Sequence, residues 1–172
     1  RAEADGRVGM VGAKLLYYDD PARVQAIAGG VLTRWKGMAS HIGAGTADSE
    51  RWGSPLELDV ILGACLLVRR EVIGEIGLLD EAYFMYSEEL DWCWRARTRG
   101  WKLLYAPGSI VWHKVGRSVG QRSPLQEYHA ARGTLLFMRK HFPRLLPVAF
   151  VYGLYRMLLP KLLRRQPARA KA

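Results

Sequence analysis

The apolar positions of this chain change period several times, and each change marks an element. Val8-Gly9-Met10-Val11-Gly12-Ala13-Lys14-Leu15-Leu16-Tyr17 is apolar almost throughout and predicts a strand, with glycines where a neighbour must approach closely. Tyr18-Asp19-Asp20-Pro21 follows as a turn, and the two aspartates serve that turn better than a metal. Val24 to Trp35 is an apolar run broken at Gly29-Gly30, which predicts a hairpin. Residues 36–56 are rich in Gly, Ser and Ala, have no clear period and predict a long loop holding His41. Leu58-Asp59-Val60-Ile61-Leu62 then runs into Gly63-Ala64-Cys65-Leu66-Leu67-Val68, the pattern of a strand buried on both faces. Arg69 to Ile76 predicts a short helix with Val72, Ile73 and Ile76 on its apolar side and Gly77 as its stop.

The second half alternates helix and strand. Ser87 suits the N-cap of a helix running to about Thr98 and ending at Gly100, with Leu90, Trp94 and Arg97 on one face. Trp101 to Ala106 and Ser109 to His113 predict two strands separated by a Pro107-Gly108 turn. Pro124 at a first helical position opens a helix to about His141, on which His129 and His141 read as exposed residues. Leu145 to Leu163 is mostly apolar but carries Pro147, Arg156 and Pro160. A spanning helix needs about 20 apolar residues. This segment therefore predicts either an interfacial helix or one packed on the domain.

Charge sharpens the picture of the C-terminal end. The net charge is +10, yet residues 1–127 hold 16 Lys/Arg against 16 Asp/Glu, and residues 128–172 hold 10 Lys/Arg and no acid. A basic segment also rich in Leu, Val, Phe and Tyr favours an anionic membrane surface. Nucleic acid is not expected as a partner, because the aromatics do not alternate with the basic residues as a stacking groove requires. With 49% hydrophobic and 24% charged residues the remainder is ordinary globular sequence: one domain, or a piece of a larger one. Cys65 and Cys93 make no disulfide framework, so a reduced, cytoplasmic setting with both thiols in the core is expected. No signal-peptide pattern is visible, and Arg1-Ala2-Glu3-Ala4-Asp5 reads as the end of a helix, with an N-terminal part expected before it.

The candidate chemistry lies in Phe84-Met85-Tyr86-Ser87-Glu88-Glu89-Leu90-Asp91-Trp92-Cys93-Trp94-Arg95. Glu88, Glu89 and Asp91 fall in the first turn of the predicted helix, where free amides and the macrodipole favour negative charge. An acidic helix cap and a functional cluster both fit that placement. With His113 at a strand end, the carboxylates could make a metal-and-base set, but carboxylates and one imidazole do not by themselves choose between the two.

The order of pieces is more specific. Gly63-Ala64-Cys65-Leu66-Leu67-Val68-Arg69-Arg70 is followed by Gly77-Leu78-Leu79-Asp80-Glu81, then by the Phe84–Asp91 stretch, Arg95, Gly100, Pro107 and His113. Together with Gly9-Met10-Val11-Gly12 and Lys14-Leu15-Leu16, this resembles the C-terminal half of family 2 glycosyltransferases, in particular the rhamnosyltransferase-like branch, over about residues 5–142. The resemblance implies an incomplete α/β GT-A fold, that of the nucleotide-diphospho-sugar transferases, with a mixed, mostly parallel sheet and flanking helices. Residues 1–142 would be its acceptor and catalytic-base part, and residues 143–172 a helical basic tail. The implied reaction moves a sugar from a nucleoside-diphosphate sugar to a hydroxyl of a glycan or lipid-linked acceptor, with inversion. The implied setting is cell-envelope polysaccharide synthesis at the inner face of the plasma membrane.

Residue by residue, Glu89 falls where the family's Glu-Asp-x-Asp motif carries its base, Glu88 and Asp91 flank it, and Asp91 would orient the site or the helix. His113 falls at a metal-ligand position for Mg²⁺ or Mn²⁺, and Gly63 and Ala64 would line the donor or acceptor cleft. Two positions depart from the family. Glu89 stands where Asp is commoner, so the carboxylate reaches one methylene further. Gly133 stands where Asn is frequent, which predicts a looser contact. No Asp-x-Asp occurs in the chain, so the donor-binding half is expected outside these residues, and no turnover is expected from them alone.

Overall fold

The central strand is β1 (Val8–Tyr17), as its apolar run predicts. The computed structural model describes residues 5–117, 120 and 123–164; the basic end of the tail, 165–172, lies outside them. After β1 come β2 (Val24–Ile27), β3 (Gly29–Thr33), β4 (Met38–His41), β5 (Glu57–Leu58), β6 (Val60–Ile61) and β7 (Leu66–Val68). The chain continues through α1 (Arg70–Ile76), α2 (Glu88–Thr98), β8 (Lys102–His113), α3 (Pro124–His141) and α4 (Leu146–Arg164).

β1 and β8 run parallel side by side, from Val8 beside Lys102 to Tyr17 beside His113. The other edge of β1 is shared: β7 pairs with residues 10–12 and β2 with residues 14–16, both antiparallel. β5 adds antiparallel to β8. A second sheet holds β4, β3 and β6, also antiparallel. The sheet is mixed, but the expected parallel majority is not found: β1 with β8 is the one parallel pair among the described strands. The reason lies in the 58–68 run. Asp59 and the Gly63-Ala64 turn cut it into three short strands, and short reversed strands pair antiparallel.

Three other local expectations change. Val24 to Trp35 is no hairpin, because Ala28 takes a left-handed conformation (φ 58°) and sends β3 into the second sheet. Residues 36–56 are not one loop: β4 pairs with β3 there, and a short 3-10 turn forms at Glu50–Trp52. Pro107-Gly108 does not reverse the chain. β8 continues past it, and the register moves from Ala13 beside Ala106 to Lys14 beside Ile110, so residues 107–109 form a bulge.

The core lies between the main sheet and the helices, around Met10, Leu15, Ile27, Ile61, Leu103, Tyr105 and Phe137, all essentially inaccessible. Cys93 belongs to it and Cys65 is half-buried, so only one thiol is core packing; both are free. α4 is packed on the domain along one face. Ala149 is buried, Tyr152 meets Trp35 edge-on with ring centres 5.2 Å apart, and Lys36 covers both rings. Its other face is open to solvent. Among the described residues no helix is long and apolar enough to cross a membrane.

Candidate active site

The segment before α2 is held in an unusual backbone. Phe84, Tyr86 and Ser87 all have positive φ, at 61°, 65° and 73°. Non-glycine residues adopt this region at a cost and keep it only where the surroundings enforce it. The enforcing element is α3. Arg132 donates to the Ala82 carbonyl at 2.7 Å and to that of Tyr83 at 3.4 Å. Lys140 donates to Asp80 at 2.8 Å, and a Cβ on Gly133 would collide with the Tyr86 carbonyl and lie 3.0 Å from Ser87 Oγ. Gly133 thus permits a closer contact, where a looser one was expected. A side chain at this position would push α3 off the strained segment.

Ser87 occupies the N-cap position of α2 but makes no side-chain cap. Capping needs an extended backbone to aim the hydroxyl back at the helix amides, and Ser87 is left-handed. Glu89 takes over part of that role. Burial pushes its carboxyl up to about 7, repulsion from Glu88 adds to this, and hydrogen bonds from the backbone amides of Glu89, Leu90 and Ser87 oppose it. Its Oε2 is buried with no protein partner among the described residues, as is Oε2 of Glu88. Gly63 sits against the stem of Glu89, since a Cβ there would lie 3.7 Å from Glu89 Cβ. Gly63 and Ala64 are both exposed. Glu89 therefore stands at the wall of an open region bordered by the Gly63-Ala64 turn.

Asp91 has a different character. Its side chain is fully buried and saturated: Oδ1 accepts from His141 Nε2 at 2.6 Å, from Lys140 at 2.9 Å and from the Tyr83 hydroxyl at 3.2 Å, and Oδ2 accepts from Arg95 at 2.7 Å. Burial by itself would raise its pKa, but the hydrogen bonds from His141, Lys140 and Arg95 outweigh burial and hold the carboxyl well below the usual range. An ionised carboxylate can only accept, so Nε2 of His141 carries the proton in this contact. Arg95 also donates to the Ile76 carbonyl and, at 2.8 Å, to that of Leu78, fastening the end of α1 to α2. Asp91 has no oxygen to spare for chemistry. It positions α2 against α3. His141 is thereby a largely buried anchor, and its reading as an exposed helix residue is corrected. His129 is also more than an exposed residue: its ring lies 5.1 Å from that of Phe84, and its Nδ1 is buried without a partner among the described residues.

His113 ends β8, with Nδ1 2.8 Å from Gln25 Oε1 on β2. The sheet holds it beside Tyr17, while Glu89 packs against the Gly63 turn. No contact among the described residues joins the two, and among those residues no three His, Cys, Asp or Glu side chains gather as a metal site. His113 can offer a metal its second ring nitrogen, so the residues present fit a cation as a single ligand only. Cys93 is not a nucleophile: burial pushes its thiol up to about 12, and it accepts from the Ile61 amide at 3.4 Å.

Residues 46–128 match the family model described as glycosyltransferase like family 2. That stretch is similar to glycosyltransferase family 2. It contains Gly63, Ala64, Glu88, Glu89, Asp91 and His113. The chain is 40% identical over 78 residues to N-acetylglucosaminyl-diphospho-decaprenol L-rhamnosyltransferase of Mycobacterium tuberculosis, a match covering 44% of this chain and 25% of that one. It is 26% identical over 104 residues to the dTDP-rhamnosyl transferase RfbF of Shigella flexneri, covering 55% and 35%. A third relative is the low-salt glycan biosynthesis hexosyltransferase Agl10 of Haloferax volcanii, 46% identical over 35 residues, covering 20% and 11%. The chain thus aligns with about a quarter to a third of the length of the first two of these relatives.

The family-model match stops at residue 128, before Gly133, Lys140 and His141 of the α3 clamp. These contacts escaped sequence reasoning. Their trace in the sequence is the pairing of an acid-free α3 C-terminal half, with Arg132, Lys140 and His141, with the acidic run from Asp80 to Asp91.

Proposed function

We propose that this chain forms the acceptor side of an inverting glycosyltransferase that draws on a nucleoside-diphosphate sugar, with Glu89 as its general base. The observation that carries the reading is Glu89 itself: a carboxyl raised to about 7, with a buried, unpartnered oxygen at an open wall. A base titrating near neutrality is ionised enough to act at pH 7 and basic enough to draw a proton from an acceptor hydroxyl as the new C–O bond forms. Such assistance contributes about 10²–10⁴-fold. Inversion asks for only this one base, on the face opposite the leaving group. Glu88 raises the basicity of Glu89 by repulsion, and Asp91 fixes the helix that aims it. Gly63 and Ala64 leave room for the acceptor.

His113, oriented by Gln25, would give one nitrogen to Mg²⁺ or Mn²⁺. When bound, that cation stabilises charge growing on the departing nucleoside diphosphate. The relatives' names support a sugar on a glycan or a diphospho-lipid as acceptor, in glycan biosynthesis. The exposed stripe of α4 (Val148, Val151, Tyr155 and Leu158, 49–65% accessible) supports peripheral contact with an anionic leaflet on the cytoplasmic side.

The test is Glu89→Gln in the full-length protein. Donor binding is expected to persist while transfer falls by at least about 10²-fold. In the wild type, kcat/KM should rise with pH through about 7, as Glu89 loses its proton. Substantial turnover by the variant, or a wild-type profile flat across that range, removes Glu89 from the role of base.

A further inference from the structure

Phe84 combines two unfavourable features. The residue is 74% exposed, and its backbone is left-handed without being a glycine. Its ring is not isolated. It tilts onto His129 at 5.1 Å between centres, and Tyr128, itself 60% exposed, meets His129 edge-on at 5.0 Å. These three rings make a shelf rooted on α3. One turn along, Gly133 presses on Tyr86 and Ser87, so the shelf and the N-terminus of α2 share one face of α3, with Phe84 five positions ahead of Glu89.

The chemistry of such a shelf is selective. An aromatic face is electron-rich and attracts the slightly positive C–H bonds of one face of a pyranose ring. A buried polar atom beside it then fixes the sugar's rotation, as sites for small ligands use a few placed polar groups among apolar ones. His129 Nδ1, buried without a partner among the described residues, is that atom. We infer that Phe84, His129 and Tyr128 form a stacking shelf for the pyranose that bears the acceptor hydroxyl. The inference rests on the acceptor-side reading above. Arg132, bound to the Ala82 and Tyr83 carbonyls, sets the height of the shelf.

The experiment is saturation-transfer NMR on the full-length protein, with the methyl pyranosides of glucose, N-acetylglucosamine and rhamnose as probes. From the wild type, saturation is expected on the C–H protons of one face of at least one probe. Phe84→Ala should weaken binding about tenfold, the loss of one good aromatic contact. Phe84→Trp, which keeps an exposed ring, should retain the signal. An unchanged signal in Phe84→Ala overturns the shelf, as does the absence of saturation on all three probes from the wild type. Should Phe84→Ala not fold, the wild-type pattern decides: one-sided saturation supports the shelf, and even saturation over both faces overturns it. A protein that binds pyranosides through Phe84 but transfers no sugar keeps the shelf and loses the transferase reading.

Discussion

Replacing Asp91 by Asn removes one charge without changing shape, at the most connected carboxylate among the described residues. The wild-type side chain has no accessible surface and receives hydrogen bonds from His141, Lys140, Tyr83 and Arg95. Removing one partner of a buried ion pair costs about 3–5 kcal/mol. Lys140 keeps Asp80 at 2.8 Å, and both Lys140 and Arg95 reach some solvent, so the lower end applies, about 3 kcal/mol. At roughly 2–4 °C per kcal/mol for a domain of this size, the melting temperature should fall by about 6–12 °C. Thermal melts followed by circular dichroism measure this, with Asp80→Asn as the control. Asp80 is about one-third exposed, and its loss should cost below about 1 kcal/mol. The pH dependence has a definite sign. The Asp91 carboxyl is held below its ordinary value, so its contribution is complete above the unfolded pKa of about 4 and is lost as pH falls through the folded value. The gap between wild type and variant should be constant near neutrality and close in acid. Melting of Asp91→Asn no lower than Asp80→Asn would refute the account of Asp91 as the anchor of α2.

Gly133→Ala should be destabilising by about 1–3 kcal/mol, because the Cβ meets the Tyr86 carbonyl, and it should lower transfer by displacing the segment before Glu89; an unchanged melt and rate would show that α3 does not clamp that segment. His113→Ala should weaken metal-dependent donor binding by the full-length protein in a Mn²⁺ titration, and an unchanged titration removes His113 from the ligand set. Tyr155→Asp on the exposed face of α4 should reduce co-sedimentation with anionic vesicles without changing the melt, and equal sedimentation would exclude that face from membrane contact.

The elements most legible in the sequence are those with strong punctuation. Gly77 and Pro124 bound α1 and α3 where expected, and β1 emerges from its unbroken apolar run. Pro107-Gly108 misleads because a turn signal is local, whereas β1 lies alongside and carries β8 through the bulge. Ser87 has cap chemistry, but its backbone is set by α3, more than 40 residues later. The same distance hides His141: nothing near it in sequence marks a partner, and Asp91 lies 50 positions away. Glu89 is legible as a candidate through its helix position and the family order. Its raised pKa is not, because burial depends on the fold bringing the distant Gly63 turn against its stem.

The grip of α3 on residues 80–91 has a consequence for how such proteins diversify. Arg132 holds Ala82 and Tyr83, Gly133 meets Tyr86 and Ser87, and Lys140 and His141 meet at Asp91, with Lys140 also on Asp80. A recombination junction between Asp91 and Arg132 would pair one parent's strained segment with the other's clamp. Residues 80–141 therefore behave as a single heritable cassette, exchangeable whole between relatives but not in parts.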